Sequence, residues 1–302
     1  MRILLTGGTG LIGQALCRSW KAQGHELWVL SRQPQNVPQL CSGAQGVAQL
    51  SDLPAAFSPD AIINLAGAPI AAKPWSPARR QILWSSRVEL TEGLVNWIET
   101  LAQRPSVLVS GSAIGWYGDC GERRVDEDSP AGQEDFGSQL CFAWEAAALR
   151  AKDLGVRVAL LRTAPVLTAS GGFLERLKLP FSLGLGGRLG SGRQWMPWIH
   201  LADVVSLIDF LMHNPQCEGP YNACSPHPVR NAEFTRVLAK TLHRPAVLPM
   251  PAWLLKTLLG EMSILLLGSQ HAQPSRALNA GYRFEFNVLN EALADLIGQK
   301  RS

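Results

Sequence analysis

None of the six cysteines, Cys17, Cys41, Cys120, Cys141, Cys217 and Cys224, stands in a Cys-x-x-Cys pair, and no two histidines sit at metal-ligand spacing. That pattern excludes a structural metal site and fits a reduced, cytoplasmic setting. Charge is also scarce: 17% of residues are charged, the formal net charge is +4, and the basic residues are dispersed. An electrostatic footprint for nucleic acid is therefore missing, while small anionic ligands are compatible with the balance. Long hydrophobic runs are absent too. The most apolar late stretch, Trp253 to Gly268, is interrupted by Lys256 and Glu261. That breaks the run of roughly 18 apolar residues needed to cross a bilayer. The opening residues turn quickly into glycines instead of forming a signal-peptide core. Neither a membrane span nor export is expected.

What is present is a globular pattern. With 302 residues, 46% of them hydrophobic, the chain is long enough for one large α/β domain or two joined lobes. Apolar, β-branched runs at 2–6, 26–31, 61–65, 107–110 and 157–162 alternate with amphipathic stretches at 11–23, 77–103 and 138–154. Such alternation predicts a doubly wound parallel sheet with helical crossovers. After Leu167 the chain becomes rich in glycine and then in proline. The expected organisation is a Rossmann-type domain over residues 1–166 and a smaller substrate lobe over 167–302, with part of 196–228 returning to the first domain. Helices are expected at 231–242 and 288–298, and a short strand at Ala246 to Pro249.

The densest signal opens the chain. Thr6-Gly7-Gly8-Thr9-Gly10-Leu11-Ile12-Gly13 falls between the first expected strand and the first expected helix. Glycine at the turn lets the chain reverse, a second lets a pyrophosphate approach the main chain, and Gly13 permits tight helix–strand packing. The helix N-terminus then faces the phosphates. The end of the second strand selects the dinucleotide, because NAD sites place Asp or Glu there and this chain has Ser31-Arg32. A guanidinium beside a hydroxyl suits a 2′-phosphate, so NADP(H) is expected. Asn64-Leu65-Ala66-Gly67 ends another strand with small residues, leaving room for adenosine and ribose at the carboxyl edge of the sheet.

Together with Ser110-Gly-Ser-Ala-Ile-Gly-Trp-Tyr-Gly118 and Pro197-Trp-Ile-His-Leu-Ala-Asp203, these motifs resemble the extended short-chain dehydrogenase/reductases of the NAD-dependent epimerase/dehydratase superfamily. The stretches Leu183 to Arg193 and Ser225 to Asn231 are similar to its atypical, YfcH-like epimerase-family members. The resemblance runs nearly end to end. It implies cofactor contacts at Gly7, Thr9, Gly10, Leu11, Ile12, Gly13, Ser31, Arg32, Asn64, Leu65, Ala66 and Gly67. It further implies Arg87 as a phosphate or ribose partner and Leu167 near the nicotinamide.

Typical members of that group carry Tyr-x-x-x-Lys on one helix face, the Lys lowering the Tyr pKa. Aligning Glu145 with the family's usual acidic residue puts Gly137 and Cys141 where Tyr and Lys belong, so the pair is absent. Ser112 aligns with the family's Ser or Thr and is a candidate to polarise a substrate oxygen. Tyr117 is the nearest phenol, either catalytic or a wall and packing residue. Cys141, with no histidine or positive cluster beside it in sequence, reads as a small buried hydrophobe. Arg188, Arg193 and Trp195 lie on or beside a glycine-rich segment resembling the loop that approaches a nucleotide diphosphate in epimerases, which suits an anionic small-molecule substrate. His200 and Asp203 read as structural.

Two functions stay open on these residues. One is an NADP(H)-dependent oxidoreductase or epimerase acting on a small carbonyl or nucleotide-sugar-like compound. The other is a catalytically degenerate NADP(H)-binding protein, a redox sensor or partner-binding module.

Overall fold

In the computed structural model, which describes residues 1–132, 134–169 and 171–298, seven strands make one sheet. They are β1 (Arg2–Thr6), β2 (Glu26–Leu30), β3 (Gln45–Val47), β4 (Ala61–Asn64), β5 (Val107–Ala113), β6 (Arg157–Thr163) and β7 (Gly219–Ala223). Their spatial order is 7-6-5-4-1-2-3, and every neighbouring pair is parallel. The chain winds outward from β1 to β3, then crosses to the other side of β1 for β4. The winding therefore reverses between β1 and β4, where Thr6 stands beside Asn64. A doubly wound sheet opens its ligand crevice at that place, beyond the carboxyl ends of the strands. This is a Rossmann fold.

The strand sequences are nearly continuous hydrophobic runs because both faces of the sheet are covered. Ile3, Leu5, Ile63, Val109 and Leu161 pack on one side with Leu16 and Trp20 of helix Leu11–Ala22 and with Val204, Leu207 and Ile208 of helix Leu201–His213. The alternate residues Leu4, Ile62, Leu108, Val158 and Leu160 face the other side, against Leu94, Val95 and Ile98 of helix Leu90–Thr100. A side chain of this size taken fully out of water contributes about 1.5–3 kcal/mol. The Trp20 indole donates to Asp209 at 2.7 Å and joins the two helices of the first face.

Two helical regions position the site. The stretch expected as one helix at 77–103 runs as Pro77–Trp84, a wide π turn at Ser85–Glu89, and Leu90–Thr100. Ser76 caps its start by accepting from the Arg79 amide, and Pro77 needs no amide partner there. Helix Phe136–Leu149 starts where Asp135 accepts from the Ser138 amide at 3.0 Å. A tighter turn, Arg150–Leu154, ends it at left-handed Gly155.

Two strands of the sheet had not been expected, β3 and β7. β7 carries Pro220 and pairs only with β6, so the missing proline amide falls on a sheet edge, where it is tolerated. Conversely, Ala246 to Pro249 is not a strand. The segment nonetheless runs beside the glycine-rich loop: the amides of Leu248 and Met250 donate to the carbonyls of Gly186 and Arg188 at 3.2 and 2.9 Å. A Cβ on Gly187 would stand 1.8 Å from the Leu248 carbonyl oxygen, so this close approach requires glycine.

Beyond Leu167 the chain builds a second core of Leu167, Trp198, Phe234, Leu238 and Leu293, in which helices Asn231–Thr241 and Leu289–Gly298 take part. It also supplies helix Leu201–His213 and β7 to the main sheet. Among the described residues, no helix is long and apolar enough to cross a membrane, and no group of three His, Cys, Asp or Glu could hold a metal ion. All six cysteines are buried free thiols.

Candidate dinucleotide and substrate site

The turn between β1 and helix Leu11–Ala22 lies at the winding reversal. Gly7 has φ +71°, and a Cβ there would stand 2.6 Å from the Leu65 carbonyl group, so the turn is pressed against the end of β4. A Cβ on Gly13 would stand 2.4 Å from the Gly7 oxygen and 2.5 Å from the Gly8 Cα. Only glycine lets the helix start this close to the strand. By contrast, a Cβ on Gly10 would meet only the Gly7 oxygen, at 3.1 Å. Gly10 caps the helix without a side-chain hydrogen bond, and the first turn holds no acidic residue. The leading amides and the positive end of the helix dipole are left for an anion. A pyrophosphate matches this cradle in charge and in the space that the glycines keep clear.

At the tip of β2, the half-buried Ser31 accepts from the Gln33 amide at 3.2 Å, and Arg32 is exposed next to it. Both belong to the β1–β2 side of the crevice, where the adenosine half of a dinucleotide would lie. Asn64 faces inward instead. It is wholly buried, accepts from the Thr6 hydroxyl at 2.6 Å, and donates to Thr91 at 2.8 Å and Ser110 at 3.1 Å. It therefore joins three strands and a helix from behind the site, and the Thr6 hydroxyl passes the link on to the Ala66 amide at 3.1 Å. Leu65 and Ala66 are half-buried and Gly67 exposed, lining the crevice opposite Gly7. Leu167 is fully buried in the second core, so its side chain faces away from solvent.

Arg87 rises from the π turn on the β4–β5 side. Its guanidinium donates to the Ala68 carbonyl at 2.9 Å and lies 5.3 Å from the Trp144 ring centre. It packs so closely on Gly67 that a Cβ there would stand 2.8 Å from Arg87 Cζ. Burial first, and then the charge of Arg79, pull its pKa down to about 10. No carboxylate pairs with it among the described residues.

The β5 and Phe136–Leu149 region is organised differently. The buried Ser112 hydroxyl donates to Glu145 Oε1 at 2.6 Å. Arg162 grips the same carboxylate with Nε at 2.8 Å and Nη2 at 2.9 Å. Arg162 Nη1 donates onward to the Tyr117 hydroxyl at 3.0 Å, and that hydroxyl donates to Asn222 at 2.8 Å. Tyr117 is 1% exposed, and burial pushes its pKa well above the ordinary phenol value. Its hydroxyl is thus satisfied in both directions within the interior. Glu145, Arg162 and Asn222 were not expected at the site. The available signal was a lone charge inside each of two apolar runs, Arg162 in β6 and Glu145 in Phe-Ala-Trp-Glu-Ala-Ala-Ala-Leu, since such charges need each other when buried.

At the position of the family's tyrosine, a Cβ on Gly137 would stand 3.5 Å from the edge of the Trp75 ring. Trp75 is fixed by its indole donating to the Ile70 carbonyl at 3.0 Å and by edge-on contact with Phe136. The indole stands beside the place a tyrosine ring would leave from. Cys141, one turn along, is buried, and its thiol is pushed up to about 12 by burial and then by the charge of Glu145.

Arg188 and Arg193 are both exposed on the glycine-rich loop. Trp195 lies in a separate surface stack: it lies flat on His271 with ring centres 4.0 Å apart, beneath Arg230 at 4.4 Å, and donates to Glu122 at 3.1 Å. Glu122 is held down to about 2 by its hydrogen bonds from Arg230 and Trp195.

Comparison with known proteins agrees with this geometry. The profile of the NAD dependent epimerase/dehydratase family matches residues 3–224, and that of a domain of unknown function, DUF1731, matches 250–296. The chain is 34% identical to the epimerase family protein YfhF of Bacillus subtilis over the whole of both chains. It is 40% identical to the epimerase family protein Mb2239 of Mycobacterium bovis over 96% of each. The crystal structure of human epimerase family protein SDR39U1 with NADPH superposes with a TM-score of 0.90 at 34% identity, covering 99% of this chain and 100% of that one. The dinucleotide cradle at the winding reversal and these matches along the chain place it in the NAD dependent epimerase/dehydratase family.

Proposed function

We propose that this chain binds NADP(H) along the carboxyl edge of its sheet and exchanges hydride with a small carbonyl or nucleotide-sugar-like substrate, as an atypical oxidoreductase or epimerase. The observation that carries the binding half is the glycine cradle, where Gly7 and Gly13 admit no side chain and the helix beyond them offers uncapped amides. Ser31 and Arg32 would take the 2′-phosphate, and Leu65 to Gly67 would line the dinucleotide's path. The human relative, solved with NADPH, supports the same choice. When bound, the cofactor supplies the hydride.

This chain's own residues supply the oxygen-side chemistry, and they narrow it. Because the Ser112 hydroxyl proton is committed to Glu145, only its lone pairs remain for a substrate. Ser112 then accepts from a substrate hydroxyl and does not donate to a carbonyl, unless Glu145 gives up the hydrogen bond. That favours a bound alcohol.

A second reading is favoured by one observation. The phenol nearest Ser112 in sequence and the thiol at the lysine position are both buried with raised pKa values. On this reading the protein holds NADP(H) without turnover and acts as a sensor or partner-binding module. Titration of purified protein with NADPH and NADH tests the binding half, and tighter binding of NADH would overturn it. Following the absorbance of bound NADP(H) while alcohols and carbonyls are supplied separates the two readings, since a binding protein leaves it unchanged.

A further inference from the structure

The most exposed large apolar side chains among the described residues fall in two stretches beyond Leu167. Leu179, Leu183 and Leu185 belong to helix Gly172–Ser182 and the glycine-rich loop after it, and Val247, Leu248 and Trp253 to the 246–249 segment and helix Ala252–Leu259. These six are between 51% and 72% exposed. The backbone holds the two stretches side by side. The Leu248 and Met250 amides donate to Gly186 and Arg188, the Gly190 amide donates back to Met250 at 2.8 Å, and Arg244 Nε donates to the Ser182 carbonyl at 3.0 Å. Single exposed apolar residues are normal on a globular protein, but six on adjoining backbone mark a surface that something covers.

The charge around them has one sign. Residues 172–191 and 242–258 hold five basic side chains, Arg176, Lys178, Arg188, Arg244 and Lys256, against the single acidic Glu175. Over the whole chain the balance is nearly even, 28 basic to 24 acidic, so the bias belongs to this face. None of the five joins an ion pair among the described residues.

These two features select the occupant. A second copy set on the same face by a two-fold axis would bring five cations against five. A partner helix needs a groove, whereas side chains this exposed project outward instead of walling one. A lipid surface has the matching shape: leucine and tryptophan side chains enter the boundary between headgroups and acyl chains, and lysine and arginine meet anionic headgroups at the rim. We propose that this face docks the protein on an anionic lipid surface, lying on the membrane without crossing it. Trp253, Val247 and the leucines enter the headgroup layer, and the five basic side chains take the anionic headgroups around them.

Flotation with vesicles of phosphatidylglycerol and phosphatidylcholine in equal parts, and with phosphatidylcholine alone, tests the docking. The chain should float with the anionic vesicles at least about tenfold more than with the neutral ones, and salt should release it by screening the rim charges. Val247→Ser combined with Trp253→Ser should lower the partition about tenfold or more. Arg244→Gln combined with Lys256→Gln should lower it by a similar factor, about tenfold, on anionic vesicles only. All four positions are exposed, so the melting temperatures should stay at the wild-type value, which separates lost docking from lost folding. No flotation with the anionic vesicles overturns the proposal and leaves the face to a protein partner. Equal flotation with phosphatidylcholine alone, or undiminished flotation of the serine variant, overturns it as well. Sedimentation velocity without lipid tests the remaining occupant, since a dimer that the serine variant dissolves would give the face to a second copy and overturn the lipid assignment.

Discussion

The two halves of the crevice handle polar groups in opposite ways. On the β1–β4 side, donors are left open: the helix after Gly10 has no side-chain cap and Arg32 is exposed. On the β5–β6 side one run of strong groups is consumed within the protein, from Ser112 through Glu145 and Arg162 to Tyr117 and Asn222. An open donor set binds anions, and a closed network holds elements in place. Within one site, then, the binding half is built for a ligand while the half that carries acid–base chemistry in typical relatives is built mainly for stability.

The closed half should respond most strongly in stability. Arg162→Met leaves the Glu145 carboxylate buried and unpaired, which costs about 3–5 kcal/mol of unfolding free energy in a denaturant titration. Tyr117→Phe, which removes one neutral hydroxyl and its two hydrogen bonds, should cost about 1–2 kcal/mol. If Arg162→Met were neutral in stability but abolished turnover, the contrast drawn above would be reversed. The open half should respond in binding. Gly13→Val forces a side chain against Gly7 and Gly8, so NADPH affinity should fall by about a hundredfold or more. Gly93→Ala is the matched control. It lies in a helix with nothing within 4 Å of its Cβ, and the change should stabilise by about 0.5–1 kcal/mol without touching affinity. Arg32→Glu is a finer probe: it should lower NADPH affinity about tenfold or more relative to NADH, read from the ratio of the two titrations.

The same contrast explains what was legible in the sequence. The cradle was, because glycine spacing, a strand before it and a helix after it all fall within thirteen residues, and each glycine answers a local steric demand. Strands β1, β2, β4, β5 and β6 were, because a run covered on both faces is apolar at most positions. β3 is three residues long and partly polar, and β7 reads Gly-Pro-Tyr-Asn-Ala, which local propensity assigns to a turn; only pairing to β2 and β6 makes them strands. The buried network was not legible either, because Glu145, Arg162 and Asn222 come from separate elements and meet only when the sheet closes. Ala246 to Pro249 misled for a related reason: its backbone does pair with a neighbour, but through glycines whose approach no local pattern encodes.

Cys141 gives the most discriminating effect, since it stands in the closed half where the register set by Glu145 puts the family's lysine. Its thiol ionises near 9.0 when free and is pushed up to about 12 in the fold, chiefly by burial. The unfolded chain therefore loses this proton first. Below the free value both states hold the proton and the stabilising contribution is complete; as pH rises from about 9 toward 12 the unfolded state is increasingly favoured and the contribution is lost. One pH unit above the free value, this single group should cost about 1.4 kcal/mol. The melting temperature should accordingly decline above that pH, and Cys141→Ala should decline less steeply, the other buried thiols and phenols supplying the remainder. Iodoacetamide should leave Cys141 intact in the native protein at mildly alkaline pH, because the thiolate is the reacting form. Rapid native alkylation would mean that the positive charge of Arg87 outweighs burial, making Cys141 a working nucleophile in the half of the site that this geometry assigns to structure.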